Sequence, residues 1–330
     1  MRMRSVCACS LMLLSAVSLA ASAQPAQKAH RIGFIASTSS ISEMRTVNPA
    51  TTAFVQGLRE LGYVEGRNLV IEWRTAEGKF DRFHEIVAEL VSIKVDVIVT
   101  VMNPMTKAAK EVTQTVPIVM GASTNPVEQG LVRSLSRPGG NVTGLSLDAG
   151  PEMVGKRLQL VKELLPAVSR VVVLGAKLEG LNERATQLVG RAVGMSLLFV
   201  EPDAAQQYAA AFASIARERP DALLVAAAAA NYAQRHRIIE FAAKNKLPVM
   251  YPTRDFPEAG GLVSYGWDLS ELYRTRVAGY VDRILRGARP AELPVERPTK
   301  FELVVNLKSA KAIGVTIPPS LLLRADAVIE

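Results

Sequence analysis

From residue 30 onward the chain repeats one constraint: short apolar runs alternate with segments whose apolar residues recur every three or four positions. The run RIGFI (residues 31–35) ends in small polar residues, and Phe54, Leu58 and Leu61 then follow at helical spacing, with Gly62 placed to end that helix. Leu69, Ile71 and Trp73 alternate as a strand, and Phe80, Phe83, Val87, Leu90 and Val91 mark the next helix stripe. Residues 95–101 and 118–120 read as buried strands around a short helix over residues 106–112, and residues 142–147 follow the loop RPGGN. The rhythm then restarts, with helices over residues 153–164, 182–193, 208–215 and 232–244 and strands over 170–174, 197–200, 222–225 and 249–251. Strands separated by helices of this length form parallel sheets with right-handed crossovers. Two series of about 115 residues each make two doubly wound α/β lobes. The tail adds a strand over residues 262–265, a helix striped by Tyr273, Val277, Tyr280 and Ile284, and a final strand carrying Phe301, Leu303 and Val305. Such a third set after two complete lobes predicts that the chain crosses back between them as a hinge.

The chain has 330 residues, 49% apolar and 21% charged, which is the composition of a folded protein. Residues 1–23 read as a secretory leader: Arg2 and Arg4, a short apolar stretch over residues 11–19, then the small-x-small pattern Ala21-Ser22-Ala23. The alternative, a retained anchor, is disfavoured because a span needs about 20 apolar residues. Cleavage leaves about 300 residues, starts the mature chain near Gln24 and lowers the net charge from +8 to +6 by removing Arg2 and Arg4. The expected location is the periplasm. Cys7 and Cys9 both precede the end of the apolar run, so the mature chain has no thiol for a disulfide, a zinc site or a nucleophile, and no cysteine placed for lipid attachment. The basic residues are scattered without dense runs or interleaved aromatics, which disfavours nucleic-acid binding.

In open parallel sheets, ligands sit beyond the carboxyl ends of the strands. In the first lobe those ends offer Ser37, Thr38, Ser39 and Ser40, and the pairs Asn48-Pro49, Asn103-Pro104 and Asn125-Pro126. Asn is favoured at the cap and Pro at the first helical position, so each pair predicts a helix start with free N–H groups suited to a carboxylate. Capping alone accounts for any single pair. The two that directly follow strands, with Thr106, Ser123 and Thr124 beside them, predict a polar cleft wall. The second lobe offers Lys177, Asn182, Asn231, Arg254, Asp255 and Glu258. Arg254 either clamps a ligand carboxylate or pairs with Asp255 or Glu258. Tyr265, Trp267 and Asp268 line either the cleft or the hinge. No GxGxxG follows a strand, and there is no GxxxxGK[ST] or GxSxG. His30, His84 and His236 share no metal-ligand spacing. No cofactor, metal or catalytic group is expected, and a hydrolase or transferase is the disfavoured reading.

The segments FVQGLRELGYVEGRNLVIEWRTAEG (54–78), NPVEQGLVRSLSRPGGNVTGLS (125–146) and the whole stretch 259–330 resemble the ABC-transporter substrate-binding protein family, whose members include tryptophan- and tyrosine-binding lipoproteins. The resemblance implies a type I periplasmic-binding-protein fold with two lobes joined by three crossovers. One lobe would be 30–148 plus 262–290, the other 149–261 plus 291–330. It implies capture of a small polar ligand, such as an amino acid or other carboxylate, for an inner-membrane ABC permease, by a monomer that is not an enzyme. A ligand-sensing subunit for a receptor kinase is the alternative. Three departures stand out: Asn125 where the family commonly has Asp, the small residues of AAAAANYAQRH (226–236), and the absence of a lipid-attachment cysteine.

Overall fold

The computed structural model describes residues 29–37, 39–147, 151–175, 183–202 and 205–330; the leader and the positions of Thr38, Lys177 and Asn182 lie outside them. Strands β1 (His30–Ala36), β2 (Leu69–Thr75), β3 (Val97–Thr100), β4 (Ile118–Ser123) and β5 (Val142–Ser146) form a five-stranded sheet in the order β2-β1-β3-β4-β5. Every pair in it is parallel. Helices α1 (Ile41–Thr46), α2 (Pro49–Glu60), α3 (Phe83–Ser92) and α4 (Asn103–Val112) supply connections. The second sheet holds β6 (Arg170–Leu174), β7 (Ser196–Val200), β8 (Ala222–Val225), β9 (Val249–Tyr251), β10 (Val263–Gly266), β11 (Glu302–Asn306) and β12 (Ala327–Ile329), in the order β12-β11-β10-β9-β8-β6-β7. Among the described residues its helices include α5 (Pro151–Leu164), α6 (Glu183–Ala192), α7 (Tyr208–Glu218), α8 (Ala229–Ala233), α9 (Arg235–Lys244) and α10 (Asp255–Glu258), and two short helices near the C-terminus, Leu307–Ile313 and Pro319–Leu322, join its core through Ala310 and Leu321.

Taken in chain order, β6 to β10 repeat the arrangement of β1 to β5: second, first, third, fourth, fifth. Each sheet is covered on both faces. Val97 and Val99 of β3 enter one apolar cluster and Ile98 the other, while Val171 and Val173 of β6 oppose Val172 and Leu174. Fully buried parallel strands require such continuous Val/Ile runs, which is why the alternation was readable in the sequence. The two lobes of the doubly wound α/β expectation are therefore present.

The chain passes between the lobes three times: after β5, after β10, and before β11. Beyond β10, α11 (Leu269–Leu272) runs through Tyr273–Val277 into α12 (Ala278–Leu285), and this helix packs on the first lobe with Tyr273, Val277, Tyr280 and Val281 in the same cluster as Phe34 and Phe54. It lies so close to α2 that a Cβ on Gly57 would sit 2.0 Å from the Arg274 carbonyl oxygen. After α12, Val295 packs in the first lobe and Glu296 bridges Leu145 beside β5. The lobe boundaries thus differ from those expected. The strand placed with the first lobe (262–265) is β10 of the second sheet, paired with β9 and β11, and residues 291–296 stay with the first lobe. An apolar strand fits either sheet equally well by pattern, so only its pairing decides.

β11 runs antiparallel to β10, and their ladder ends with Gly266 opposite Glu302. Gly266 lies flush against the neighbouring loop: an added Cβ would stand 1.7 Å from the Pro252 carbonyl oxygen. Gly266→Ala is expected to lower stability by about 1–3 kcal/mol, the usual cost of forcing atoms into packed space. Chemical denaturation measures it, and an unchanged midpoint would show that the strand end can move aside freely.

Candidate functional site

The first lobe sends the chain out from the carboxyl end of β5, and the second from the carboxyl end of β10. The loops at these strand ends therefore converge on the junction, where Tyr265 packs against the cores of both lobes. In a sheet of this order the natural binding crevice lies where the strand order reverses, between its first and third strands. That point falls between β1 and β3 in the first lobe and between β6 and β8 in the second.

On the first wall, Ser37 follows β1 and is nearly buried, and Ser39 is half-buried. Ser40 caps α1 in a reciprocal box: its hydroxyl accepts from the Glu43 N–H while the Glu43 carboxylate accepts from the Ser40 N–H. Those bonds, with a smaller contribution from the charge of Arg235 on α9, hold the Glu43 carboxyl below its ordinary range. Asn48 caps α2 as expected, accepting from the N–H groups of Ala50 (3.1 Å) and Thr51 (3.2 Å).

The other two Asn-Pro pairs correct the expectation. Asn103 is the first residue of α4, with Met102 at the cap position, and its side chain turns to the end of β4 instead. Its Oδ1 accepts from the Ser123 hydroxyl and the Thr124 N–H (3.1 Å), and its Nδ2 donates to the Thr124 carbonyl (2.7 Å) and hydroxyl (3.3 Å). Asn125 starts no helix. Its φ of 47° is left-handed, a conformation Asn tolerates, and residues 126–130 form a turn closed by Gln129 N–H to Asn125 O at 3.0 Å. Thr106, expected on the cleft wall, is fully buried. Its hydroxyl pairs with that of Thr100 (2.7 Å) and lies 3.1 Å from the Met102 carbonyl, inside the lobe.

On the second wall, Asn231 is also fully buried and is a further correction. Its Oδ1 accepts from the Tyr208 hydroxyl (2.7 Å) and its Nδ2 donates to the carbonyls of Leu174 (3.1 Å) and Ala226 (2.9 Å). Arg254 is engaged by protein carboxylates, including Glu258, one of the two partners its sequence position offers. It bonds Glu258 at 2.9 Å and Glu302 at 3.0 Å, with Asp268 4.0 Å away. Asp268 itself caps α11 through the Glu271 N–H. Tyr265 and Trp267 flank Phe301, with ring centroids 5.9 and 6.0 Å from it, and Trp267 is buried; they pack the junction.

Beyond these, the end of β9 holds a polar group whose members the sequence did not single out together. The Thr253 hydroxyl lies 3.0 Å from the Asp255 carboxylate and 3.2 Å from the Tyr232 hydroxyl. With one proton, Thr253 donates to Asp255 and accepts from Tyr232. Burial pushes the Asp255 carboxyl upward, against the lowering effect of Thr253 and, more weakly, Arg235. Among the described residues no group of three or more His, Cys, Asp or Glu is placed to hold a metal ion, and no helix is long and apolar enough to cross a membrane.

Glu302 stands out electrostatically. Its Oε1 is buried without a hydrogen-bond partner. Burial raises its carboxyl from the usual value near 4.5 to about 7, despite the opposing charge of Arg254 and helped by Asp268, Asp326 and Glu258. The folded chain then keeps this proton where the unfolded chain releases it. Its contribution favours folding at acid pH, declines as pH rises from about 4.5 toward about 7, and is flat above. Glu302→Gln should abolish that slope in denaturation midpoints followed across the interval; a parent and variant that keep a constant offset would contradict it.

Comparisons with known proteins agree with this architecture. The family model for ABC transporter substrate binding proteins matches residues 39–329. A "Tyrosine-binding protein" of Clostridioides difficile (strain R20291) is 26% identical over 291 residues, covering 83% of this chain and 79% of that relative. A solved structure of a conserved domain protein from Vibrio cholerae superposes with a TM-score of 0.81 at 28% identity, covering 91% of this chain and 100% of that one. A domain from Streptococcus pneumonia in complex with L-Trp gives 0.81 at 24% identity, covering 92% and 100%. The fold is that of the type I periplasmic binding proteins, and the relatives are solute-binding proteins rather than enzymes. With a match running over nearly all of the folded chain, this protein belongs to the ABC transporter substrate-binding protein family.

Proposed function

We propose that this chain is the periplasmic receptor of an ABC importer and captures an amino acid or similar small carboxylate between its lobes. The observation that carries the reading is the shared strand order of β1–β5 and β6–β10, which gives each lobe a switch point on the edge from which the chain crosses to the other lobe. Relatives that bind tyrosine or are solved with L-Trp support the ligand class. The proposed contacts divide by charge. Ser37, Ser39, Thr124 and the backbone around Asn125 supply hydroxyls and N–H groups for a carboxylate, and Asp255 supplies the carboxylate for an ammonium. Asp255 suits that role because Thr253 already fixes one of its oxygens. Thr38 and Asn182, expected in the same site, remain candidates outside the described residues. Ligand binding would bias an open–closed equilibrium of the hinge, and the closed form would engage the inner-membrane permease.

Purified mature protein should melt at higher temperature with L-tyrosine, L-tryptophan or L-leucine. A ligand at about 100 times its Kd adds about 2.7 kcal/mol. Asp255→Asn should weaken binding about 10- to 100-fold, the worth of a hydrogen bond to a charged group at about 1.5–3 kcal/mol. Calorimetry that shows no heat with any of these amino acids, or equal affinity for parent and variant, would refute the assignment.

A further inference from the structure

Asn103 and Asn231 occupy corresponding places. Each lies on the helix that follows the third strand of its lobe, β3 and β8, within the five-strand order that the two sheets share. Neither caps its helix. Each instead spends its amide on strand ends: Asn103, just beyond β3, engages the end of β4 with both its oxygen and its nitrogen, and Asn231 bridges the ends of β6 and β8 through its Nδ2 alone. Asn103 engages both backbone groups of Thr124, in the manner of an added ladder rung. It does so just where regular pairing stops: β3 and β4 are in register only as far as Thr100 opposite Met120, and β4 shifts register against β5 between Met120 and Ser123. Asn231 donates to Leu174, the last residue of β6, and to Ala226, immediately after β8. Those two strands flank the switch point of the second lobe. Tyr208 fixes the remaining amide oxygen from α7, and the close passage of Asn231 leaves no room for a side chain on Gly175, where a Cβ would stand 2.8 Å from Nδ2.

We propose that Asn103 and Asn231 are positioning residues, which hold the strand-end loops of the two lobes in ligand-ready geometry without touching the ligand. The physical basis is preorganisation: loops already fixed in the bound arrangement lose less conformational freedom on binding. A side-chain amide is suited to this because it offers a donor and an acceptor side by side, matching a backbone peptide. The effect on affinity rests on the capture reading above, whereas the effect on loop order does not.

The test uses N103A for the first lobe, with N231A and the milder Y208F for the second, since N231A removes a fully buried anchor and Y208F removes only the hydroxyl that fixes it. Hydrogen exchange on ligand-free protein should be at least about tenfold faster at the Thr124 amide in N103A, and at the Gly175 and Ala226 amides in N231A and Y208F, with strand centres unchanged. Affinity for L-tyrosine or L-tryptophan, measured well below each melting temperature, should fall about tenfold or more, with Y208F intermediate. A lowered melting temperature with unchanged affinity would overturn the proposal by reducing both residues to structural supports. Unchanged exchange at the three amides would overturn it as well. Failure of the parent protein to bind either amino acid would count against the capture reading, and the exchange measurement would still decide this one.

Discussion

A single buried guanidinium organises the junction between the lobes. Arg157 on α5 is 1% exposed, donates from Nε to the Tyr265 carbonyl at 2.8 Å and reaches the Pro252 carbonyl at 3.4 Å. It thereby links the helix that follows the first crossing to the strand that precedes the second. A charge so enclosed is tolerable only when fully partnered, so its hydrogen bonds fix the local backbone instead of merely decorating it. Gly266, pressed against the same Pro252 carbonyl, completes the seat. Around it, Tyr265 belongs to both cores, and Met153 and Trp267 continue the apolar packing of the first lobe across the boundary.

Much of the fold was legible because burial on both faces forces Val- and Ile-rich strands, and these alternate with striped helices. What pattern leaves open is partner choice. β10 could join either sheet on composition, and it joins the second because β9 and β11 flank it. The site was legible more unevenly. Asn48 behaves as its local sequence dictates, since capping involves only the next three residues. Asn103, with the same Asn-Pro signal, answers to Thr124, twenty-one residues away. Asn125 answers to its own left-handed backbone. Thr106 and Asn231 are polar residues after strands, as a ligand contact would be, yet their polar atoms are consumed inside the lobes. Composition and spacing describe which groups are near a strand end; they do not say which way a side chain turns.

A common rule links these corrections. Short polar side chains at the strand ends are spent on backbone groups that the sheets leave unpaired as they terminate. Buried N–H and C=O groups must find partners, and a doubly wound lobe has many such groups along its carboxyl edge. Arg254 follows the same logic with charge. It sits after β9, where a ligand clamp would stand, but it bonds Glu302 and Glu258 and lies close to Asp268. Three carboxylates gathered where two crossings meet need a cation, and the nearest one on the rim is drawn to them.

The antiparallel pairing of β10 and β11 has a mechanical consequence. Its terminal rung, Gly266 opposite Glu302, is the point at which the second crossing departs and the third arrives. Two of the three connecting segments are therefore clamped side by side at one end, like the two leaves of a strap hinge. As long as that rung holds, the two segments keep their spacing at this end, so a relative displacement of the lobes has to carry them as a pair.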